Sequence, residues 1–363
     1  MLATLLFYLT VMFVCLGLIN WSNRNNNKYG VYGAYLILIL ISVLRYDIGN
    51  DYRAYTEFIQ FLANQFKLSY YVPLSDETRE PLFYILTYIF RESTYPYLWV
   101  LGIHFIISLF FLYKAFEDND SHFIGILIFF ISGMLFVYWD QVRQAVAISI
   151  ILYAIKYIKE GNFLKYLLFV LLAATAHYSA ILLLPFYFIS KIKPRRIIYI
   201  IIILVLALSN AATNYFNYLF ENIITLIPYF DTKESSYSYI QILSTGYKIR
   251  VFFYSLIWST IIFFLPDKQK VLINFLFVGA IIFIMASGAL NVMRISFYFI
   301  FTMTLAFPLV LKIEKARTIM LVLLIGLFLF FARDVITDTG TRGCVPYDTV
   351  FSDNFPNYFR KRE

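Results

Sequence analysis

The sequence predicts an all-α fold, a polytopic integral membrane helical bundle of about ten to twelve transmembrane segments with some short re-entrant or broken helices. Three observations predict it. Of the 363 residues, 61% are hydrophobic and only 14% charged, with a mean hydropathy of +0.72, far outside the ordinary soluble range. A spanning helix needs roughly 20 mostly apolar residues to cross a hydrocarbon core about 30 Å thick, and such runs recur from end to end. The runs lack the polar/apolar alternation of a barrel, so helix is the structure that satisfies every backbone N–H and C=O in lipid.

In order, the apolar runs occupy residues 2–20, 31–44, 96–113, 123–139, 143–158, 163–190, 197–212, 251–265, 271–290, 295–311 and 318–332. The first has no basic n-region and no small-residue cleavage pattern, so it reads as a span and not as a signal peptide. Pro81 to Phe90 is too short to cross, and the run from Phe163 to Ser190 is interrupted near Thr175 to Ser179, so both are expected to be re-entrant or broken. The organisation is one transmembrane domain, 1–333, with outer-face loops at about 45–95 and 213–250. A polar, aromatic-bearing outer tail, 334–363, is expected to cover the site or to move. No hydropathy repeat is visible.

Charge sets the expected orientation. The basic loops Arg24/Lys28, Lys114, Lys156/Lys159/Lys165, Lys191/Lys193/Arg195/Arg196, Lys268/Lys270 and Lys312/Lys315/Arg317 can all lie on one side, which the positive-inside rule makes cytoplasmic. This requires Pro81 to Phe90 not to span and places both termini outside. Of 15 lysines, 11 then fall inside, whereas 11 of 15 arginines fall outside, at 45, 53, 79, 91, 143, 250, 294, 333, 342, 360 and 362. Lysine obeys the insertion rule and arginine opposes it. Because a guanidinium binds phosphate oxygens through a planar donor fork, a phosphate or diphosphate ligand at the outer leaflet explains the excess. The plainer reading is pairing with outer acids and headgroups, which is weakest for Arg45, Arg143 and Arg294 at span ends. The net charge of +8 is what basic loops beside spans produce, and nucleic acid is not an expected partner. Cys15 and Cys344 have no metal-ligand spacing and make a poor disulfide pair, which leaves the redox compartment open.

Three clusters surround these arginines. In Arg45-Tyr46-Asp47-Ile48-Gly49-Asn50-Asp51-Tyr52-Arg53-Ala54-Tyr55, the rings of Tyr46, Tyr52 and Tyr55 are placed either to stack on sugars or to form an interfacial belt. Asp51 is a candidate general base toward a hydroxyl, or else the ion-pair partner of Arg45 or Arg53. In Asp140-Gln141-Val142-Arg143-Gln144, two runs approach so closely that Arg143 must lie at the mouth of a tight helical hairpin. There the start of the next helix reinforces it in attracting an anion, with Asp140 as its potential neutraliser. In Ala176-His177-Tyr178-Ser179-Ala180, a lone histidine sits where its run breaks, as a functional candidate or bonded to a backbone carbonyl. His104, within an uninterrupted span, and His122, in a cytoplasmic turn, have weaker cases.

The string RYDIGNDYRAYTEF, then EPLFYILTYIF, VRQAVAISIILYAIKYI, LLAATAHYSAILLL, MRISFYF and VPYDTVF, resembles the EpsG/Wzy family of bacterial polysaccharide polymerases. The order of the degenerate elements, with the hydropathy between them, carries the resemblance over most of the chain. Asn50 departs where many relatives carry Thr or Ser, and Met293 to Tyr298 keeps its Arg and aromatics in a loose form. The resemblance implies a polymerase at the outer (periplasmic) face of the bacterial inner membrane, acting on donor and acceptor oligosaccharides carried by undecaprenyl diphosphate. Under it, Arg143 and Arg294, assisted by Arg45, hold the diphosphate, and Asp51 or His177 accepts the hydroxyl proton. Tyr46, Tyr52, Tyr55, Gln144 and Tyr298 contact substrate. No cofactor and no metal are expected, since the outer side shows no clustered carboxylates. A chain-length regulator and a flippase are implied by the pathway alone. A lipid-linked oligosaccharide transporter is the rival of a different class, although the arginines gather on one side and not along a path. An O-antigen ligase shares the donor, but the loop 213–250 is modest for one.

Overall fold

In the computed structural model of the chain, every apolar run carries helix, and the described residues contain no strand. The structure describes residues 2–68, 80–209, 245–286, 290–338 and 341–351. Arg79, Arg360, Arg362, most of the loop 213–250 and the last part of the tail, 352–363, lie outside the described residues. Among the described residues six helices are long and apolar enough to cross a membrane, or seven if the bent pair His122–Ile131 and Met134–Asp140 is one span, and four shorter apolar helices accompany them. The chain divides into two compact units.

The first unit comprises residues 1–156, 164–182 and 324–363. It is built from α1 (Leu2–Arg24), α2 (Tyr29–Val43), α3 (Tyr52–Leu68), α4 (Pro81–Ile89), α5 (Pro96–Asp118), α6 (His122–Ile131), α7 (Met134–Asp140), most of α8 (Val142–Lys159) and α9 (Phe163–Ala176). α1 packs on α2 and α6, and α5 is the post against which α2, α3 and α4 rest. The second unit covers 157–163 and 183–323. It holds α10 (Phe186–Ile189), α11 (Arg196–Leu208), α12 (Thr245–Phe264), α13 (Lys270–Met285), α14 (Leu290–Ile300), α15 (Met303–Leu311) and the first part of α16 (Glu314–Thr337), with α13 packed on α11, α12, α14 and α15.

Four departures from a plain row of spans matter for function. α3, read from sequence as outer loop, is an amphipathic helix: Tyr52, Thr56, Ile59, Leu62, Ala63 and Phe66 recur at helical spacing and are buried. Arg53, Glu57, Gln60 and Asn64 occupy its other face, so it has no apolar girdle with which to cross lipid. The run 123–139, expected to be continuous, bends by 70° between α6 and α7. The hinge is Gly133, whose φ of 75° is a left-handed conformation that side chains with a Cβ resist. Every residue of α7 is buried, so its terminal Asp140 must find partners inside the protein. The interruption expected near residues 175–179 is present, since α9 stops at Ala176 and a 3₁₀ turn, Tyr178–Leu183, follows His177. α4 has nine residues and rises only about 13 Å, less than half a bilayer core.

Candidate functional site

The end of α2, the start of α3, the α7/α8 elbow and the C-terminal segment converge in the first unit. Arg45, just past α2, is 2% exposed. Its guanidinium lies 4.6 Å from the ring centre of Phe105, 5.3 Å from Tyr52 and 5.9 Å from Trp139, and it donates to the Ile48 carbonyl. Among the described residues the charge is met at contact distance by ring faces, a favourable quadrupole interaction, while the Asp140 carboxylate adds a Coulomb attraction without pairing directly. Nη2 is buried with no hydrogen-bond partner among the described residues. The following turn is tight. Asp47 and Gly49 both have positive φ, and a Cβ on Gly49 would come within 3.1 Å of the Trp139 carbonyl.

The segment 341–351 straps this turn. Tyr46 N–H donates to the Asp348 carbonyl (3.0 Å), Gly49 to Gly343 (3.0 Å), Asn50 to Arg342 (2.8 Å), and Val350 to Leu44 (2.9 Å). Arg45 and Thr349 form an isolated antiparallel bridge. The described part of the C-terminal tail therefore packs on this turn. Asp140 ties the pieces together, accepting from Arg342 Nη1 at 2.8 Å and from the Asp51 backbone N–H at 3.2 Å. Asp140 is thus the partner of Arg342, where the sequence suggested it as neutraliser of Arg143. Arg53 is held by Asp47, its Nε donating to Oδ1 at 2.7 Å.

Arg143 is the second residue of α8, at the mouth of the hairpin as the spacing predicts. Its partner is Glu80, immediately before Pro81 at the start of α4: Arg143 Nη1 lies 2.8 Å from Glu80 Oε2. The guanidinium also faces Tyr55 at 5.3 Å and Phe83 at 5.2 Å. The other oxygen, Glu80 Oε1, is 2.5 Å from His177 Nδ1. One buried carboxylate thus holds an arginine from the start of α8 and a histidine from the break after α9. Burial by itself would raise the Glu80 pKa, but the hydrogen bond from His177 and the Arg143 charge outweigh it and hold the carboxyl below its ordinary value. With Nδ1–H donating to Glu80, the neutral ring presents Nε2 as an acceptor, the orientation a general base needs. The bond is to a carboxylate and not to the backbone carbonyl considered from sequence. His104 is different in kind: its Nδ1 bonds the Val100 carbonyl at 2.7 Å, one turn back in its own helix, and the residue is fully buried.

The two guanidiniums share scaffolding. α3 sends Tyr52 to Arg45 and, one turn later, Tyr55 to Arg143; α5 sends Phe105 to Arg45, while the adjacent His104 faces Phe83. Arg45, Tyr46, Asp51, Tyr52, Tyr55, Arg143, Gln144 and His177 all belong to the first unit. Tyr46, Tyr52 and Gln144 are buried, whereas Asp51, Tyr55, Arg143 and His177 are half-buried. Arg294 and Tyr298 lie one turn apart on α14 of the second unit, the first half-buried and the second fully buried. Glu80 was missed by sequence reasoning. Its signal was available, because an acid directly before Pro at the start of a short apolar helix either caps that helix or is buried and requires a cation.

The model of the EpsG family matches residues 28–349, from the start of α2 to the strap that closes over Arg45. No curated protein and no solved structure matches the chain.

Proposed function

We propose, taking as premise that the chain belongs to the EpsG family, that it is a polymerase of lipid-linked oligosaccharides. It joins undecaprenyl-diphosphate-linked repeat units into an O-antigen or related surface polysaccharide at the outer face of the bacterial inner membrane. The observation that carries this reading is the Glu80 carboxylate gripping both Arg143 and His177. Transfer from a diphosphate carrier needs two things at once, charge for the leaving group and a base for the incoming hydroxyl. Arg143, whose side chain is 26% exposed, supplies the first. His177 Nε2 supplies the second.

In the proposed step the acceptor hydroxyl attacks the anomeric carbon of the donor. The hydroxyl proton passes to His177 Nε2, a new C–O bond forms, and the bond to the diphosphate oxygen breaks. The electron pair leaves with the diphosphate, whose growing charge Arg143 stabilises, through an oxocarbenium-like state. Glu80 fixes the tautomer of His177 and the aim of Arg143, the part that an orienting carboxylate plays for a catalytic histidine. Asp51, beside Asp140 at the start of α3, is the second candidate base. Tyr55, on the Arg143 guanidinium, is placed to stack on the sugar that bears the diphosphate.

The test is deletion in the host and gel separation of the extracted surface polysaccharide, with complementation by wild type and Arg143→Ala. Collapse of the ladder to a single repeat unit, rescued by wild type and not by the variant, supports the polymerase. Loss of every repeat unit from the core points to a ligase or a flippase, and an unchanged ladder overturns the proposal.

A further inference from the structure

The second unit carries a separate basic cleft that the proposed reaction does not use. It has a volume of 310 Å³ and is lined by Lys159, Lys191, Lys268 and Lys270, with Glu160 as the one acidic residue in its wall. Three chain segments build it: the end of α8 with the turn after it, the stretch after α10, and the start of α13. Their relative placement is fixed by polar clamps. Asn274 Nδ2, from the buried face of α13, donates to the carbonyls of Ser190 at 2.9 Å and Ile192 at 2.8 Å. The Tyr187 hydroxyl donates to the Gly161 carbonyl. The ammonium of Lys191 rests 3.6 Å from the Tyr187 ring centre. Gln269 contributes a buried amide oxygen with no hydrogen-bond partner among the described residues.

We propose that this cleft binds the headgroup of an anionic phospholipid in the cytoplasmic leaflet, specifically a phosphate diester whose headgroup carries a hydroxyl. Four lysines against one glutamate leave an excess of positive charge suited to phosphate oxygens, and the start of α13 adds its N-terminal dipole. The orphaned Gln269 oxygen is an acceptor, so it asks for a donor, which a glycerol-type headgroup hydroxyl provides and phosphate alone does not. The apolar Ile158 and Val271 in the same wall suit the glycerol backbone and the first acyl carbons. The leaflet rests on the lysine-based orientation within the proposed function, but the binding chemistry does not.

The experiment is native mass spectrometry of the purified full-length protein in detergent, titrated with dioleoyl-phosphatidylglycerol, dioleoyl-phosphatidylcholine or soluble glycerol 3-phosphate, with no oligosaccharide donor present. Phosphatidylglycerol is expected to stay bound and phosphatidylcholine to dissociate. The triple variant Lys191→Gln/Lys268→Gln/Lys270→Gln is expected to bind phosphatidylglycerol about a hundredfold more weakly, from the charge lost near the surface. The control Lys312→Gln/Lys315→Gln retains binding. Glu160→Gln, which removes the opposing charge, is expected to tighten it, and this opposite sign separates a site effect from damage to the fold. Equal retention by wild type and triple variant, equal retention of the two lipids, or soluble glycerol phosphate competing as strongly as lipid overturns the proposal. Because no donor is present, failure here leaves the polymerase reading intact, and an active Arg143→Ala would overturn that reading without touching this one.

Discussion

Replacing Glu80 by Gln removes the one charge that holds Arg143 and His177 while keeping nearly the same shape. The Glu80 side chain is 10% exposed and that of Arg143 26%. Removing one member of a buried pair strands the other, at a cost of about 3–5 kcal/mol, and partial exposure of Arg143 puts this case near 3 kcal/mol. Arg143→Gln leaves Glu80 still bonded to His177, so it should cost less, about 2 kcal/mol. The double variant strands no charge. It is therefore expected to cost no more than Glu80→Gln alone, a coupling of roughly 2 kcal/mol instead of additivity. The assay is equilibrium unfolding of all four proteins in mixed micelles at neutral pH. The sign of the pH dependence follows from the depressed Glu80 pKa. A carboxyl held lower in the folded than in the unfolded state contributes stability above its unfolded pKa, and that stability is lost as pH falls through the folded one. The ordinary value of such a carboxyl is 4.5, so the Glu80 contribution should be flat through neutrality and decline only below that, and Glu80→Gln should remove this part of the decline. Additive single and double effects within about 0.5 kcal/mol would refute the three-residue anchor.

Three further outcomes are expected. Arg45→Lys keeps the charge but loses the planar face packed among Tyr52, Phe105 and Trp139. A loss of about 2 kcal/mol is expected, read as faster limited proteolysis of the strap 341–351. Gly49→Ala forces a Cβ into a backbone at φ 103° and against the Trp139 carbonyl, so it is expected to destabilise by about 1–3 kcal/mol in thermal unfolding, whereas Asn50→Ala in the same turn costs less. Arg294→Ala removes the arginine to which the family resemblance assigns diphosphate binding, and it is expected to lower polymer yield in the complemented host with the protein still inserted at wild-type abundance; an undiminished ladder would withdraw that assignment.

The helical membrane fold was legible because composition and run length are bulk properties that no local packing detail can reverse. The broken helix at His177 was legible for the same reason, as polar residues interrupt the run. The bend at Gly133 was not, since the short Ser132-Gly133 pair between Phe130-Ile131 and Met134-Leu135 lowers the hydropathy of the run too little to end it, and only the backbone angles reveal the turn. α3 was hidden by the reverse effect: its buried face is too narrow to register as a span, yet its spacing is helical. The arginines, the tyrosines and His177 stood out by type and position. Their partners did not, because Glu80 is 63 residues from Arg143 and 97 from His177 along the chain, and pairing at that separation is set by how hairpins pack. The same holds for Asp140, which lies beside Arg143 in sequence but bonds Arg342, 202 residues away.

The most direct test of the central claim is reconstitution of the purified protein with undecaprenyl-diphosphate-linked repeat units as both donor and acceptor, following product length and released undecaprenyl diphosphate together. The wild type is expected to yield a ladder with one diphosphate lipid released per bond formed, His177→Ala and Arg143→Ala to yield neither, and Tyr55→Phe to retain both. Absence of elongation and of released carrier from the folded wild-type protein, or equal yields from Arg143→Ala and wild type, would contradict the assignment of this site as a polysaccharide polymerase.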